Sequence, residues 1–184
     1  MERIPEPEVM DDDLEVRAYR EADFRAVNRA CARRALRTAS RPSGRAIDLG
    51  TGPAEIPILF CEMAPGWSVT AVDASPGMLA VARENLKTHG LFSRITLLEG
   101  DAKSLSSLRR PFDLVFSNSL LHHVEEPVSF WREVGRLVIP VFAVSLPLVG
   151  VKGRPLCMMI MLETLQPPNN RSRKPETGFG EGGS

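Results

Sequence analysis

The stretch Ala46-Ile47-Asp48-Leu49-Gly50-Thr51-Gly52-Pro53-Ala54 runs from four residues suited to a buried strand directly into a glycine turn. Glycine at 50 and 52 lets the backbone turn sharply and lets a ligand approach without meeting a β-carbon. Pro53 is placed to open a helix. Ligands of open α/β sheets bind beyond the carboxyl ends of the strands. Asp48 stands at that end and can accept hydrogen bonds from a cationic group, so the loop suits a zwitterionic, cationic ligand.

Working outward, short apolar runs alternate with helical spacing: Ser68–Val72, Ile95–Leu98 and Phe112–Phe116 read as further strands. Ser75 is placed to cap a helix that Pro76 opens and that His89-Gly90 ends. Glu126-Pro127 opens another, with Val128, Trp131, Val134 and Leu137 on its apolar face. Strand–helix repetition of this kind predicts an α/β fold, a doubly wound, mostly parallel Rossmann-like sheet with helices on both faces.

The second strand ends at Val72-Asp73, where a carboxylate can accept hydrogen bonds from both hydroxyls of a ribose. Asp101, in Glu99-Gly100-Asp101-Ala102, follows the third strand and falls within reach of an adenine amino group. A nucleoside ligand is the expectation. A dinucleotide fingerprint counted from Gly50 needs glycine or alanine at position 55, where Glu55 stands, and no Tyr-x-x-x-Lys pair occurs. A nicotinamide-dependent oxidoreductase is therefore the minor alternative.

Taken in order, Asp48-x-Gly50-x-Gly52, Val72-Asp73-x-Ser75-Pro76-x-Met78-Leu79, Gly100-Asp101-Ala102 and Phe112-Asp113-Leu114-Val115 resemble the successive motifs of class I S-adenosylmethionine-dependent methyltransferases. The resemblance covers about residues 45–138 and implies S-adenosyl-L-methionine as cofactor. It implies that Asp48, Gly50 and Gly52 flank the methionine portion and that Asp73 holds the ribose, with Ala74 beside it. Met78, Asp101 and Ala102 would border the adenine, and Ser117 and Asn118 would lie beside the sulfonium. The third glycine of the family's first motif is Ala54 here.

Methyl transfer from a sulfonium is an in-line displacement with a good leaving group, so proximity and orientation are the main demands on the protein. A general base is optional, and no catalytic residue is assigned. For His122 and His123, just past the fourth strand, packing, lining of an acceptor pocket and general base catalysis all stay open. Asp113, at the far end of its strand, reads as a solvated or helix-capping carboxylate. Tyr19 and Phe24 read as helix packing ahead of a lid, and the Arg29-to-Arg45 run as a solvated helix face.

Lys plus Arg and Asp plus Glu both number 23. Without a basic surplus, nucleic-acid binding is not favoured. Cys31, Cys61 and Cys157 form neither a disulfide pattern nor a zinc motif, and the acidic start through Asp11-Asp12-Asp13 is unlike a signal peptide, so a cytoplasmic location is expected. The apolar stretch Leu137–Val151 contains Pro140 and Pro147 and is shorter than the roughly 18 to 20 residues needed to span a bilayer, so no membrane association is expected.

The expected organisation is an N-terminal helical cap over 1–40 and a cofactor-binding domain over 41–146. An atypical apolar segment over 147–165 and a disordered tail over 166–184 complete it. Relatives usually pass through a Leu-x-Pro-Gly-Gly turn into a fifth strand and then a closing hairpin. Here Pro140 precedes Val141-Phe142, and the sheet is expected to stop after a fifth strand at Val141–Leu146. An open edge of that kind would favour self-association. The functional expectation is methyl transfer to an unidentified small-molecule acceptor. The alternative is a catalytically silent module, or truncated isoform, that binds S-adenosylmethionine or S-adenosylhomocysteine.

Overall fold

A computed structural model describes residues 24–39, 41–108, 111–120, 123–124, 126–138, 141–145, 148–149 and 157–164. Tyr19, His122, the first 23 residues and the 166–184 tail, on which several expectations fall, lie outside the described residues.

The short apolar runs form strands β1 (Ser43–Leu49), β2 (Gly66–Asp73), β3 (Ile95–Glu99) and β4 (Leu114–Asn118). They pair in parallel in the order β3-β2-β1-β4. The chain winds from β1 outward to β3 and then returns to β4 on the other side of β1. The loop after β1 therefore sits where strand order reverses, the place at which open α/β sheets receive ligands.

Side chains alternate across the pleat, and this sorts the core into two layers. Ala46, Val69, Ala71, Leu114 and Phe116 pack with helices α1 (Arg25–Thr38), α2 (Glu55–Met63) and α3 (Pro76–His89). Ile47, Leu49, Val72 and Val115 pack on the opposite face with helix α4 (Pro127–Leu137) through Phe130, Val134 and Leu137. Helices thus cover both faces, as the alternation of patterns predicts.

Local signals set both ends of α3. The Ser75 hydroxyl accepts from the Met78 amide at 3.1 Å, Pro76 opens α3, and Gly90 ends it in the left-handed region at φ 65°. Pro53 does not open α2. Ala54 adopts φ 60°, which keeps Pro53 in the turn and delays the helix to Glu55. The carboxyl end of α2 is held by Arg94, whose guanidinium donates to the carbonyls of Cys61 (2.8 Å), Ala64 (2.5 Å) and Trp67 (2.8 Å). The Ala64 carbonyl also accepts the Trp67 amide at 3.0 Å, and the Trp67 carbonyl lies in β2, so Arg94 ties the end of α2, where carbonyls run short of helical partners, to the start of the second strand.

The sheet does not stop at the fifth strand. After β5 (Val141–Ser145) and the short β6 (Leu148–Val149), β7 (Cys157–Thr164) runs antiparallel between β4 and β5. The Met158-Met159-Ile160-Met161-Leu162 run, read from sequence as an atypical apolar segment, is thus an interior strand. A continuous apolar run without alternation is the pattern of an interior strand, and β4 needs a hydrogen-bonding neighbour on its free side. Among the described residues no helix is long and apolar enough to cross a membrane.

Candidate functional site

Where β1 ends, the amides of Gly50 and Thr51 both donate to the Val72 carbonyl, at 2.9 and 2.8 Å. The glycine loop is thereby pinned to the end of β2. Gly50 and Gly52 take φ 73° and 54°, a region that favours glycine. A β-carbon on Gly50 would come within 2.8 Å of Leu120 Cδ1, whereas one on Gly52 would meet nothing within 4 Å. Gly52 therefore faces open space. Ala54, in place of a third glycine, also sits at positive φ and carries the strain that glycine would avoid.

Asp48 is buried to 2% exposure, and its Oδ1 has no hydrogen-bond partner among the described residues. Burial raises its carboxyl to about 7; the adjacent Thr51 side chain pulls it back and the Asp73 charge pushes it further up. A buried, unpartnered carboxylate oxygen is costly unless something answers it. The Thr51 hydroxyl, buried beside it, is in the same position.

Asp73 receives the Gly52 amide on Oδ2 at 2.7 Å and the Ser75 amide on Oδ1 at 2.9 Å. Burial raises its carboxyl above the ordinary value, while the amides of Ser75, Gly52 and Ala74 and the nearby His123 ring pull the other way. The carboxylate still has lone-pair capacity to accept a further hydrogen bond. The Gly100 amide donates to the Asp73 carbonyl at 3.0 Å, which ties the loop after β3 to the same edge. Asp101 is half exposed, accepts the Lys103 amide at 2.8 Å and lies 3.6 Å from the Lys103 ammonium.

Asp48, Gly50, Gly52, Asp73, Ala74 and Asp101 therefore meet at one sheet edge. Asn118 ends β4 on that same edge. Its Oδ1 accepts from the Cys31 thiol of α1 at 3.5 Å and its Nδ2 donates to the Ser119 hydroxyl at 3.3 Å. Ser117 is drawn inward, buried, with its hydroxyl donating to the Leu49 carbonyl at 2.7 Å. Met78 and Ala102 are buried at 3% and 8% exposure, Ala102 in the layer shared with Leu105 and Phe130. They offer little surface to a ligand.

Asp113 lies at the opposite end of the sheet, where it accepts the Arg45 amide of β1 at 2.8 Å and pairs with Arg41, so it ties down the first strand and caps no helix among those described. Glu55 begins α2, and its Oε2 accepts from Asn28 Nδ2 at 2.6 Å. A carboxylate thus holds the helix terminus that a pyrophosphate would need. A groove of about 480 Å³ among α1, α2 and α3, lined by Arg25, Arg29, Glu55, Glu62, Asn85 and His89 among others, includes none of Asp48, Asp73 and Asp101. Among the described residues no cluster of His, Cys, Asp and Glu is arranged to hold a metal.

Thr51 and Leu120 belong to the site although sequence reading passed over them. Thr51 was legible as a hydroxyl between two motif glycines. Leu120 was not, because only the fold carries it from the end of β4 onto Gly50.

Comparison with known proteins follows the same stretch of chain. A family model described as a methyltransferase domain matches residues 46–140. The release factor glutamine methyltransferase of Chlorobaculum tepidum is 37% identical over 138 residues, covering 66% of this chain and 46% of that protein. The demethylmenaquinone methyltransferase of Thermus thermophilus is 38% identical over 71 residues, 39% of this chain and 31% of that protein. The chain thus spans less than half the length of these relatives. A SAM-dependent methyltransferase of Aquifex aeolicus shares the fold, with TM-score 0.60 at 16% identity over 82% of this chain and 97% of that one.

Proposed function

The chain belongs to the methyltransferase-domain family with the class I, S-adenosylmethionine-dependent fold, and from that premise we propose that the edge formed by Asp48, Asp73 and Asp101 binds S-adenosyl-L-methionine for methyl transfer. The observation that carries this reading is Asp48, a buried carboxylate with an unanswered oxygen beside a glycine whose β-carbon position is open.

In this reading Asp48, Gly50 and Gly52 take the amino-acid end, whose ammonium supplies the missing partner for Asp48 Oδ1. Asp73 and Ala74 take the ribose through the lone pairs left free by the backbone amides. Asp101, with Met78 and Ala102 behind it, borders the adenine, and Asn118 lies toward the sulfonium. When bound, the cofactor supplies an electrophilic methyl group on a sulfonium. The protein's part is to hold its reactive end in line with an acceptor and to keep water away.

The acceptor was expected to be a small molecule. The names of two relatives point in different directions, to a glutamine of a release factor and to demethylmenaquinone. The protein glutamine ranks first, because that match spans the larger share of the chain. One observation favours a second reading, a binding module without turnover. On the side away from β1, β4 pairs with the antiparallel β7, whose Met159 stands opposite Asn118, so no parallel strand end follows β4 there. Calorimetric titration with S-adenosylhomocysteine tests the cofactor reading, which fails if no heat of binding is seen. Transfer of labelled methyl to a release factor, or to a quinone panel, then separates the acceptors, and binding without transfer to either favours the silent module.

A further inference from the structure

Helix α4 reaches across to the loop that follows β3. Glu133 Oε1 accepts the Leu105 amide at 2.7 Å, and Arg136 donates to the Leu105 carbonyl at 2.8 Å and to the Leu108 carbonyl at 2.8 Å. The two side chains also bind each other, Arg136 Nη2 to Glu133 Oε1 at 2.5 Å and Nε to Oε2 at 3.0 Å. Both backbone groups of Leu105 are thus held by one ion pair.

Leu105 in turn fixes the loop ahead of it. Its side chain is 3% exposed, and a β-carbon on Gly100 would come within 3.1 Å of Leu105 Cδ2. The Ser104 amide donates to the Asp101 carbonyl at 2.9 Å, closing the turn. Asp101 is itself half exposed and has no tertiary hydrogen bond beyond this turn among those described. An exposed ion pair on a helix contributes little by itself. This one spends its hydrogen bonds on loop carbonyls and an amide, and Glu133 is buried. Arg136 holds the Glu133 carboxyl below the ordinary range, so the clamp stays charged at neutral pH.

We propose that Glu133 and Arg136 are positioning residues for base recognition: they set the Gly100–Leu105 loop so that Asp101 meets the adenine amino group. This rests on the cofactor reading above, and it adds α4 as the part of the fold that governs selectivity for the base.

The test compares S-adenosylhomocysteine with S-inosylhomocysteine, in which a carbonyl replaces the adenine amino group, by calorimetry on the full chain. The unaltered chain should prefer the adenine form. Glu133→Ala should cut that preference by about tenfold, the size of one lost charge-assisted hydrogen bond, and Glu133→Gln, which can still accept from the Leu105 amide, should restore most of it. Equal weakening of both ligands, or no change, overturns the proposal. If Glu133→Ala fails to fold, Arg136→Gln, at a more exposed position than Glu133, decides by the same ratio. Failure of the unaltered chain to bind either ligand sinks the cofactor reading instead. Amide exchange at Leu105 judges the clamp separately: exchange no faster in Arg136→Gln than in the unaltered chain overturns it.

Discussion

The Gly52 amide lies 2.7 Å from Asp73 Oδ2, which makes the glycine loop after β1 and the acidic end of β2 a single unit. The Ser75 amide on Oδ1 extends that unit to the start of α3. Asp73 thus has a structural duty besides any contact with a ribose. Asp73→Ala leaves two amides without their acceptor and should cost about 2 kcal/mol in denaturant unfolding, together with loss of S-adenosylhomocysteine binding. Asp73→Asn keeps one acceptor oxygen and should recover part of the stability without restoring the affinity. Full affinity in Asp73→Asn would remove Asp73 from the proposed ribose contact.

Acidity at Asp48 gives a second prediction. Its carboxyl is raised by burial to about 7, so the folded chain holds a proton that the unfolded chain has already released. That contribution to stability is complete below roughly pH 4 and is lost as pH rises through about 7. Asp73, also raised, acts with the same sign. The ammonium of the ligand's amino-acid end favours the ionised carboxylate, so affinity for S-adenosylhomocysteine should rise between about pH 6 and pH 8 while the stability of the free chain falls. Titrations across that range should show it, and Asp48→Asn should flatten both trends. An affinity that does not change with pH would count against a direct role for Asp48.

The two loop glycines should behave differently. Gly50→Ala meets Leu120 at 2.8 Å as well as an unfavourable φ of 73°. It should destabilise the fold by more than the roughly 1 to 2 kcal/mol expected of left-handed strain alone, and Leu120→Ala in the same chain should return part of the loss. Gly52→Ala has open space and only the strain, so it should still fold while weakening the ligand severalfold. Thermal melts and calorimetry separate the two effects, and a Gly52→Ala chain with unaltered affinity would move the ligand away from this loop.

Arg94 anchors the fold behind the site. Its guanidinium serves the Cys61 and Ala64 carbonyls at the end of α2 and the Trp67 carbonyl at the start of β2, the last bonded twice. Arg94→Ala should cost about 2 to 3 kcal/mol, read as a lower unfolding midpoint with an unchanged denaturant slope. Arg94→Lys should recover less than half, because an ammonium cannot reproduce a planar fork.

Most of the sheet was legible because its signals are local. Apolar runs, Ser75 as a cap, Gly90 as a stop and a carboxylate or glycine after each of the first three strands depend only on neighbours in sequence. Strand order and the position of β7 do not. The Met-rich run around Ile160 lacks alternation, and nothing nearby in sequence shows that β4 is its partner. Leu120 over Gly50, and Glu133 and Arg136 under Leu105, join residues far apart in the chain for the same reason.

By itself the sequence determined the parallel α/β class, the glycine loop and the acidic residues at the strand ends, since backbone freedom and side-chain chemistry are properties of the residues themselves. Tertiary structure alone decided that Asp48 is buried with an unanswered oxygen, that Asp73 is shared with the glycine loop, and that α4 holds the loop beside Asp101. Burial, and the acidity that follows from it, depend on what the rest of the chain packs around a group.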